Sequence, residues 1–271
     1  MEQTHRTPVP GVEIFAIGTE LVIGRIADTN SFWLADQLAR LGLPPRRITC
    51  LPDDPVTITE AFGEALRRGT EIVLTTGGLG PTPDDRTVEC VAHLAGVEVT
   101  VDAATIADFM RRRQLTDESQ VSPGLRKMAT VPVGATVYPN PVGWAPLIAL
   151  PVGRAMFYLL PGPPREVQAL YETHLRPLLA QRSPRTSRAC RVLVGMVESE
   201  VSPLLEAVMR QYPDTYLKAY VALAGGDGLP VDVVAYGPDA ASAEALLGQA
   251  VASLGELVQG RGRSFRLTPP A

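Results

Sequence analysis

The alternation of short apolar segments with helical patterns constrains this chain more than any other feature. Residues 12–17, 47–51 and 71–74 each read as a strand. After the first of these, Asp28-Thr29-Asn30 precedes a stretch in which Leu34, Leu38 and Leu41 fall on one helix face and stop at Gly42. After the second, Asp54 and Pro55 open a helix whose apolar face is Ile58, Phe62 and Leu66, with Gly69 past its end. Strands alternating with helices predict an α/β fold with a largely parallel, helix-covered sheet. Ligands of such sheets bind outside the carboxyl ends of the strands.

The third strand runs into Thr75-Thr76-Gly77-Gly78-Leu79-Gly80-Pro81-Thr82-Pro83-Asp84-Asp85-Arg86-Thr87, which opens a further helix at Thr87. Glycines let the backbone approach a ligand and adopt positive φ, so successive N–H groups can point at an anion. The helix start that follows adds partial positive charge, which suits a phosphate. Asp84 and Asp85 beside this cradle have the chemistry of ligands for a hard divalent cation (Mg, Mn or Co) that bridges phosphate oxygens. The plainer alternative is a tight turn in which Asp85 caps the helix and nothing binds. The paired carboxylates favour a phosphate-bearing small molecule.

Composition excludes several classes. The 271 residues are 45% hydrophobic and 20% charged, with a net charge of −4, so non-specific nucleic-acid binding is not favoured. Only Lys127 and Lys218 are lysine, and the run Arg111-Arg112-Arg113 reads as a solvated helix face. Cys50, Cys90 and Cys190 lack zinc-ligand spacing, and their odd number argues against a disulfide framework. Cys50 reads as core. The N-terminal residues Met1 to Arg6 lack a signal-peptide apolar region, and Pro146, Pro151, Gly153 and Arg154 interrupt the most apolar stretch. A cytoplasmic protein is expected.

From Thr136 the pattern becomes short strands at 137–138, 146–150 and 154–160, the last two joined by Pro151-Val152-Gly153. Leu160-Pro161-Gly162-Pro163-Pro164 leads into a helix with Val167, Leu170, Leu175 and Leu178 on its face. A polar linker at 181–187 precedes a βαββα pattern: a strand at 190–196, a helix from Glu198, a hairpin turning at Gly225-Gly226-Asp227-Gly228, and a helix at 240–258. The strand Val192-Leu193-Val194 and the face Leu204, Leu205, Val208 need more cover than four short elements provide. This tail is expected to pack on the first domain or on a partner, giving a homodimer.

These residues resemble a known family. Gly18-Thr19-Glu20-Leu21, Asp28-Thr29-Asn30 and the 75–87 loop look like the molybdopterin-binding-like (MoaB/Mog-type) domain of CinA, or competence/damage-inducible, proteins. Asn140-Pro141-Val142-Gly143 with Ala145-Pro146, then Leu160-Pro161-Gly162-Pro163, look like the same family's later motifs in the same order. The resemblance implies a three-layer molybdopterin-binding-like domain over residues 1–180 and a small KH-like domain over 188–271. The amidase domain that follows in full-length CinA proteins has no counterpart here, so its activity is not carried over.

In CinA-type proteins the first domain is associated with metal-dependent cleavage of the ADP-ribose pyrophosphate. Carried onto this sequence, Asp84 and Asp85 are the metal ligands and Gly77, Gly78 and Gly80 the phosphate donors. Glu20 is the candidate base, and Asp53 joins the metal site unless it serves only as a helix start beside Asp54. Gly18, Thr76, Thr82, Asn140, Gly143, Pro161 and Gly162 complete the expected pocket, and one of Asp28 and Asn30 is read as a helix cap. Trp144 and Leu147 stand where the family carries small residues, so their bulk fills part of the pocket or stacks on an adenine. The competing readings are a pterin- or nucleotide-binding module without catalysis and an adenylyl transferase acting on molybdopterin. The Gly225–Gly228 text matches the RNA-clamping GxxG but sits in a hairpin without Lys or Arg, so nucleic-acid binding is not expected.

Overall fold

The computed structural model describes residues 9–226 and 228–268. The Met1-to-Arg6 segment and Asp227 of the hairpin turn lie outside them. The chain forms two compact units, the first holding most of residues 9–182 and the second the residues from Ser183 on.

The first unit begins as predicted with β1 (Val12–Ile17), then a short α1 (Thr19–Val22), α2 (Thr29–Arg40), β2 (Arg47–Leu51), α3 (Pro55–Arg67), β3 (Ile72–Thr76) and α4 (Thr87–Ala95). The 18–24 segment, expected as a loop, therefore contains a helical turn. Between α4 and the later strands lie β4 (Val99–Val101), α5 (Ala103–Arg113), a short 3-10 turn at Glu118–Gln120, α6 (Pro123–Met128) and β5 (Thr130–Pro132), of which the sequence reveals only the helical Arg111–Arg113 end of α5. The unit closes with β6 (Thr136–Tyr138), β7 (Leu147–Val152), β8 (Ala155–Leu160), α7 (Pro164–Leu170) and α8 (Arg176–Ala180). Pro151 and Val152 belong to β7, so the turn into β8 is shorter than the sequence suggests.

The sheet order is β2-β1-β3-β8-β7-β6. The first four strands run parallel, and β7 and β6 are antiparallel. This is an α/β fold with a largely parallel sheet. Its central strands β1 and β3 are buried along their whole length, as a sheet covered on both faces requires. Phe62 of α3 stands edge-on to Phe15 of β1 at 5.2 Å and to Phe157 of β8 at 5.4 Å, locking three elements under the strand ends. One charge sits in this core. Glu13 is 3% exposed and accepts from Arg68 Nε at 3.0 Å, Arg68 Nη2 at 2.7 Å and the Thr70 hydroxyl at 2.6 Å.

Edge position overrides the sequence pattern at β2. Cys50 is exposed, not core, and Ile48 is 46% exposed, because β2 has a neighbour on one side only. A second departure lies between α7 and α8, where Tyr171–Leu175 forms a wide π turn. Pro177 has no N–H to give the preceding turn, which loosens the ladder there. The extra residue shifts the buried face from the expected Leu178 to Leu179.

The second unit is β9 (Thr186–Val194), α9 (Glu198–Gln211), β10 (Thr215–Ala219), β11 (Leu229–Gly237), α10 (Ala240–Gln259) and β12 (Phe265–Leu267). Its strand order, β10-β11-β9-β12, is antiparallel throughout. This βαββαβ order is the split βαβ, ferredoxin-like arrangement. It corrects the expected βαββα tail by one strand, and no two of its described helices follow one another, as a helix-flanked GxxG would require. The linker is also shorter, since Thr186 and Ser187 already belong to β9. The expectation that this tail lacks cover fails as well. Val192, Val194, Leu204, Leu205 and Val208 are buried in a cluster closed by Leu247, Leu254 and Val258 of the long α10.

Candidate functional site

The site is built on the ends of β1, β3 and β8. β3 stops at Thr76, and Gly77 follows at φ +95 and Gly78 at φ +69, conformations an L side chain resists. A Cβ on Gly77 would strike the Ile17 carbonyl, and one on Gly78 would fall on the Thr87 hydroxyl. That hydroxyl donates to Gly77 O at 3.1 Å, while Thr87 N donates to Gly78 O at 3.2 Å, so the loop is pinned to the start of α4. Gly77 N–H donates to Leu160 O at 3.0 Å and continues the sheet. Of the three expected phosphate donors, Gly77 is therefore engaged, and Gly78 and Gly80 keep N–H groups without a protein acceptor among the described residues.

The aspartates divide their roles. Asp85 Oδ2 accepts from Thr82 N at 2.9 Å and from the Thr82 hydroxyl at 2.5 Å, closing the turn after Gly80. A Cβ on Gly80 would lie 2.5 Å from that carboxylate. Asp85 does not cap α4, whose N-cap residue is Arg86 with no side-chain bond. Lys127 Nζ donates to the Asp85 carbonyl. Asp84 is exposed.

Opposite this loop, Thr19 N donates to Asp53 Oδ2 at 2.7 Å, and Asp53 N donates to Thr19 Oγ1 at 3.1 Å. Helix capping at this pair belongs to Asp54, which accepts from Thr57 N at 2.8 Å. The Glu20 carboxylate lies over Gly18, where a Cβ would meet it. Asp28 caps α2 through Ser31 N at 2.9 Å, and Asn30 Nδ2 instead donates to Gly162 O at 2.7 Å. Asn30 thus ties α2 to the loop that follows β8.

Glu166 on α7 is the residue sequence reasoning missed. It reads there as an ordinary acidic residue in a first helical turn. Burial lifts its pKa above the usual carboxylate value, against the pull of Asn140, the Trp144 N–H and Arg112. Asn140, 6% exposed, donates through Nδ2 to Glu166 Oε2 at 2.6 Å and to Ala145 O at 2.8 Å. Its oxygen accepts from Val142 N at 3.0 Å and Gly143 N at 2.7 Å. A Cβ on Gly143 would overlap the Glu166 carboxylate. Asn140 and Gly143 therefore stand behind Glu166 and do not line the cleft themselves.

The cleft these elements enclose has a volume of about 390 Å³, inside the range of roughly 300–1,000 Å³ for small-molecule sites. Gly18, Gly77, Gly78, Gly80, Pro161 and Gly162 form part of its lining, as expected, whereas Thr76 and Thr82 do not. Among the described residues five carboxylates line it, Glu20, Asp53, Asp84, Asp85 and Glu166, and no Lys, Arg or His does. Among the described residues no three His, Cys, Asp or Glu side chains converge as a metal cage. Asp84 and Asp85 fit a divalent ion only as the one or two carboxylates that meet a phosphate-bound cation.

Two bulky residues lie elsewhere than expected. Leu147 is fully buried in β7. Trp144 packs edge-on to Phe109 at 5.4 Å, with the guanidinium of Arg112 at 4.2 Å and that of Arg113 at 4.8 Å over its ring. Arg112 also donates to Gly143 O at 2.6 Å, while Arg111, Arg112 and Arg113 are all exposed, so the run is a solvated face from which one arginine also holds a neighbouring carbonyl.

Residues 13–181 match the family described as "Probable molybdopterin binding domain". A protein of Pyrobaculum calidifontis is 37% identical over 257 residues, covering 93% of this chain and 97% of its own length. A CinA-like protein of Myxococcus xanthus is 38% identical over 208 residues, and the match covers 74% of this chain and 49% of the relative. The chain thus spans about half the length of that CinA-like relative. The crystal structure of the CinA protein of Thermoplasma acidophilum, described as of unknown function, superposes with a TM-score of 0.58 at 32% identity, over 63% of this chain and 98% of that one. Among the described residues no helix is long and apolar enough to cross a membrane.

Proposed function

This chain belongs to the molybdopterin-binding domain family, and from that premise we propose that its cleft binds a phosphorylated pterin or nucleotide together with a divalent cation. One observation carries the reading: among the described residues, N–H groups of a pinned glycine loop without a protein acceptor share a cleft with five lining carboxylates, and Lys127, seated on the Asp85 carbonyl, is not part of that lining. Backbone donors suit a phosphate, but the surrounding negative charge would repel it unless a cation came along. Asp84 and Asp85 would hold that ion, and it would neutralise charge on the phosphate oxygens. The pinned loop keeps its donors in place before the ligand arrives, and Pro161, Gly162 and Pro163 leave the neighbouring wall free of charge. Assembly as a homodimer is a separate proposal, and it no longer rests on an uncovered tail, because that tail buries its own core. Light scattering tests it, since a 29.0 kDa species at micromolar concentration excludes it.

Titration calorimetry with ADP-ribose and with a pterin phosphate, each with and without Mg²⁺, tests the binding. Saturable binding that needs the cation supports it, and absence of binding in all four titrations rejects it. Hydrolysis of the diphosphate is the finer reading, favoured by the pairing of Asp84 and Asp85 beside the glycine loop in one cleft. AMP release from ADP-ribose under the same conditions supports it, and binding without release leaves the cleft a binding module. A crystal soaked with ADP-ribose and Mg²⁺ then identifies the loops that touch the diphosphate.

A further inference from the structure

The cleft has two chemically different parts. The glycine loop offers donors, whereas Glu166 offers an acceptor. A carboxylate has about four acceptor positions. Asn140 Nδ2 fills one at 2.6 Å. The rest of the carboxylate's capacity is available to whatever enters the cleft that Glu166 lines.

The frame around Glu166 is completely determined. Both amide hydrogens of Asn140 are engaged, on Glu166 and on Ala145 O, and both lone pairs of its oxygen take N–H groups of Val142 and Gly143. The amide cannot be flipped without placing its NH₂ against two N–H donors. Position 143 must lack a side chain, because a Cβ would overlap the carboxylate. Arg112 holds the Gly143 carbonyl from behind at 2.6 Å. A buried polar frame of this kind costs more than an apolar one unless every member is satisfied. Here every member is satisfied, and the one group left with spare capacity faces the cleft.

Building on the phosphate-ligand reading of the cleft, we propose that Glu166 selects the ligand by accepting a pair of adjacent hydrogen-bond donors from its non-phosphate part. A second phosphate is excluded there by like charge. Two kinds of group supply adjacent donors: the amino and ring N–H edge of a pterin or guanine, and the cis-diol of a ribose.

Affinities of the wild-type protein and Glu166→Gln for inorganic pyrophosphate, ADP, GDP and their 2′,3′-dideoxy forms, all with Mg²⁺, test this. In the wild type at least one nucleotide is expected to bind more tightly than pyrophosphate. In Glu166→Gln that nucleotide's advantage is expected to fall at least about tenfold, the size expected for a lost charged hydrogen bond. A loss confined to GDP identifies the base edge, and a loss shared by ADP and GDP but absent from the dideoxy forms identifies the diol. The inference is overturned if the substitution weakens pyrophosphate and nucleotides by one common factor, or leaves all of them unaltered. If wild-type protein fails to bind pyrophosphate at all, the phosphate reading fails and this inference falls with it. Thermal unfolding of Glu166→Gln within a few degrees of wild type shows that the frame has survived the change.

Discussion

Thr19 and Asp53 exchange hydrogen bonds, N–H to carboxylate at 2.7 Å and N–H to hydroxyl at 3.1 Å, and so clip the turn after β1 to the turn after β2. Asp53→Asn keeps an acceptor for Thr19 and is expected to retain stability. Asp53→Ala is expected to cost about 1 kcal/mol, one hydrogen bond, in urea unfolding. If Asp53 instead serves a cation, Asp53→Asn will abolish Mg²⁺-dependent binding while stability stays unchanged.

The two cleft aspartates are expected to separate. Asp84→Ala removes an exposed side chain and should leave the unfolding midpoint unchanged. Asp85→Ala frees the Thr82 turn and should cost about 1 kcal/mol. Both should remove Mg²⁺-dependent ligand binding by calorimetry. Wild-type binding in both variants would overturn their assignment to the cation.

Gly77→Ala must place a methyl against the Ile17 carbonyl at φ +95, so a loss of about 2–4 kcal/mol is expected. Gly69→Ala is the control. Its φ is +76, with nothing within 4 Å of a new Cβ, and about 1 kcal/mol is expected. Equal losses in the two variants would show that backbone strain alone decides both.

Acid stability should report Glu13. Burial pushes its pKa up, but Arg68, through its hydrogen bonds and charge, and Thr70 outweigh that and hold it below the usual value. A carboxyl with a depressed folded pKa adds stability above its unfolded value, about 4.3, and loses it as pH falls through the folded one. Urea unfolding between pH 6 and 3 is expected to show this decline in the wild type. Glu13→Gln should flatten it, and should lower stability at pH 6 by about 1.5–3 kcal/mol.

Much of this architecture is legible in the sequence where one physical signal acts alone. β1, α3, α4, α9 and α10 follow from apolar periodicity and capping residues, because each buries one continuous face. Apart from the Arg111–Arg113 end of α5, the stretch from β4 to β5 is not legible. Its apolar residues, Ile106, Phe109, Val121, Leu125 and Ala129, come from separate short elements and form a satellite cluster with no common period. The glycine loop, with Gly77 and Gly78 at positive φ, could be read because those conformations favour glycine. Glu166 could not be, because its distinction lies in Asn140, a residue 26 positions earlier. β12 was hidden by its length, three residues in a polar stretch.

The aromatic contact of Phe15, Phe62 and Phe157 has a consequence for motion. It anchors β1 and β8, two of the strands whose ends form the floor of the cleft, so their amide hydrogens should exchange with solvent only through opening of the whole core. The turn at 81–85 rests on the mutual bonds of Thr82 and Asp85 and on Lys127 at the Asp85 carbonyl, and should exchange much faster. A ligand settling here would find the floor already ordered and would lose conformational freedom only from that turn. Most of its binding energy would then appear as affinity and little would go into folding the site.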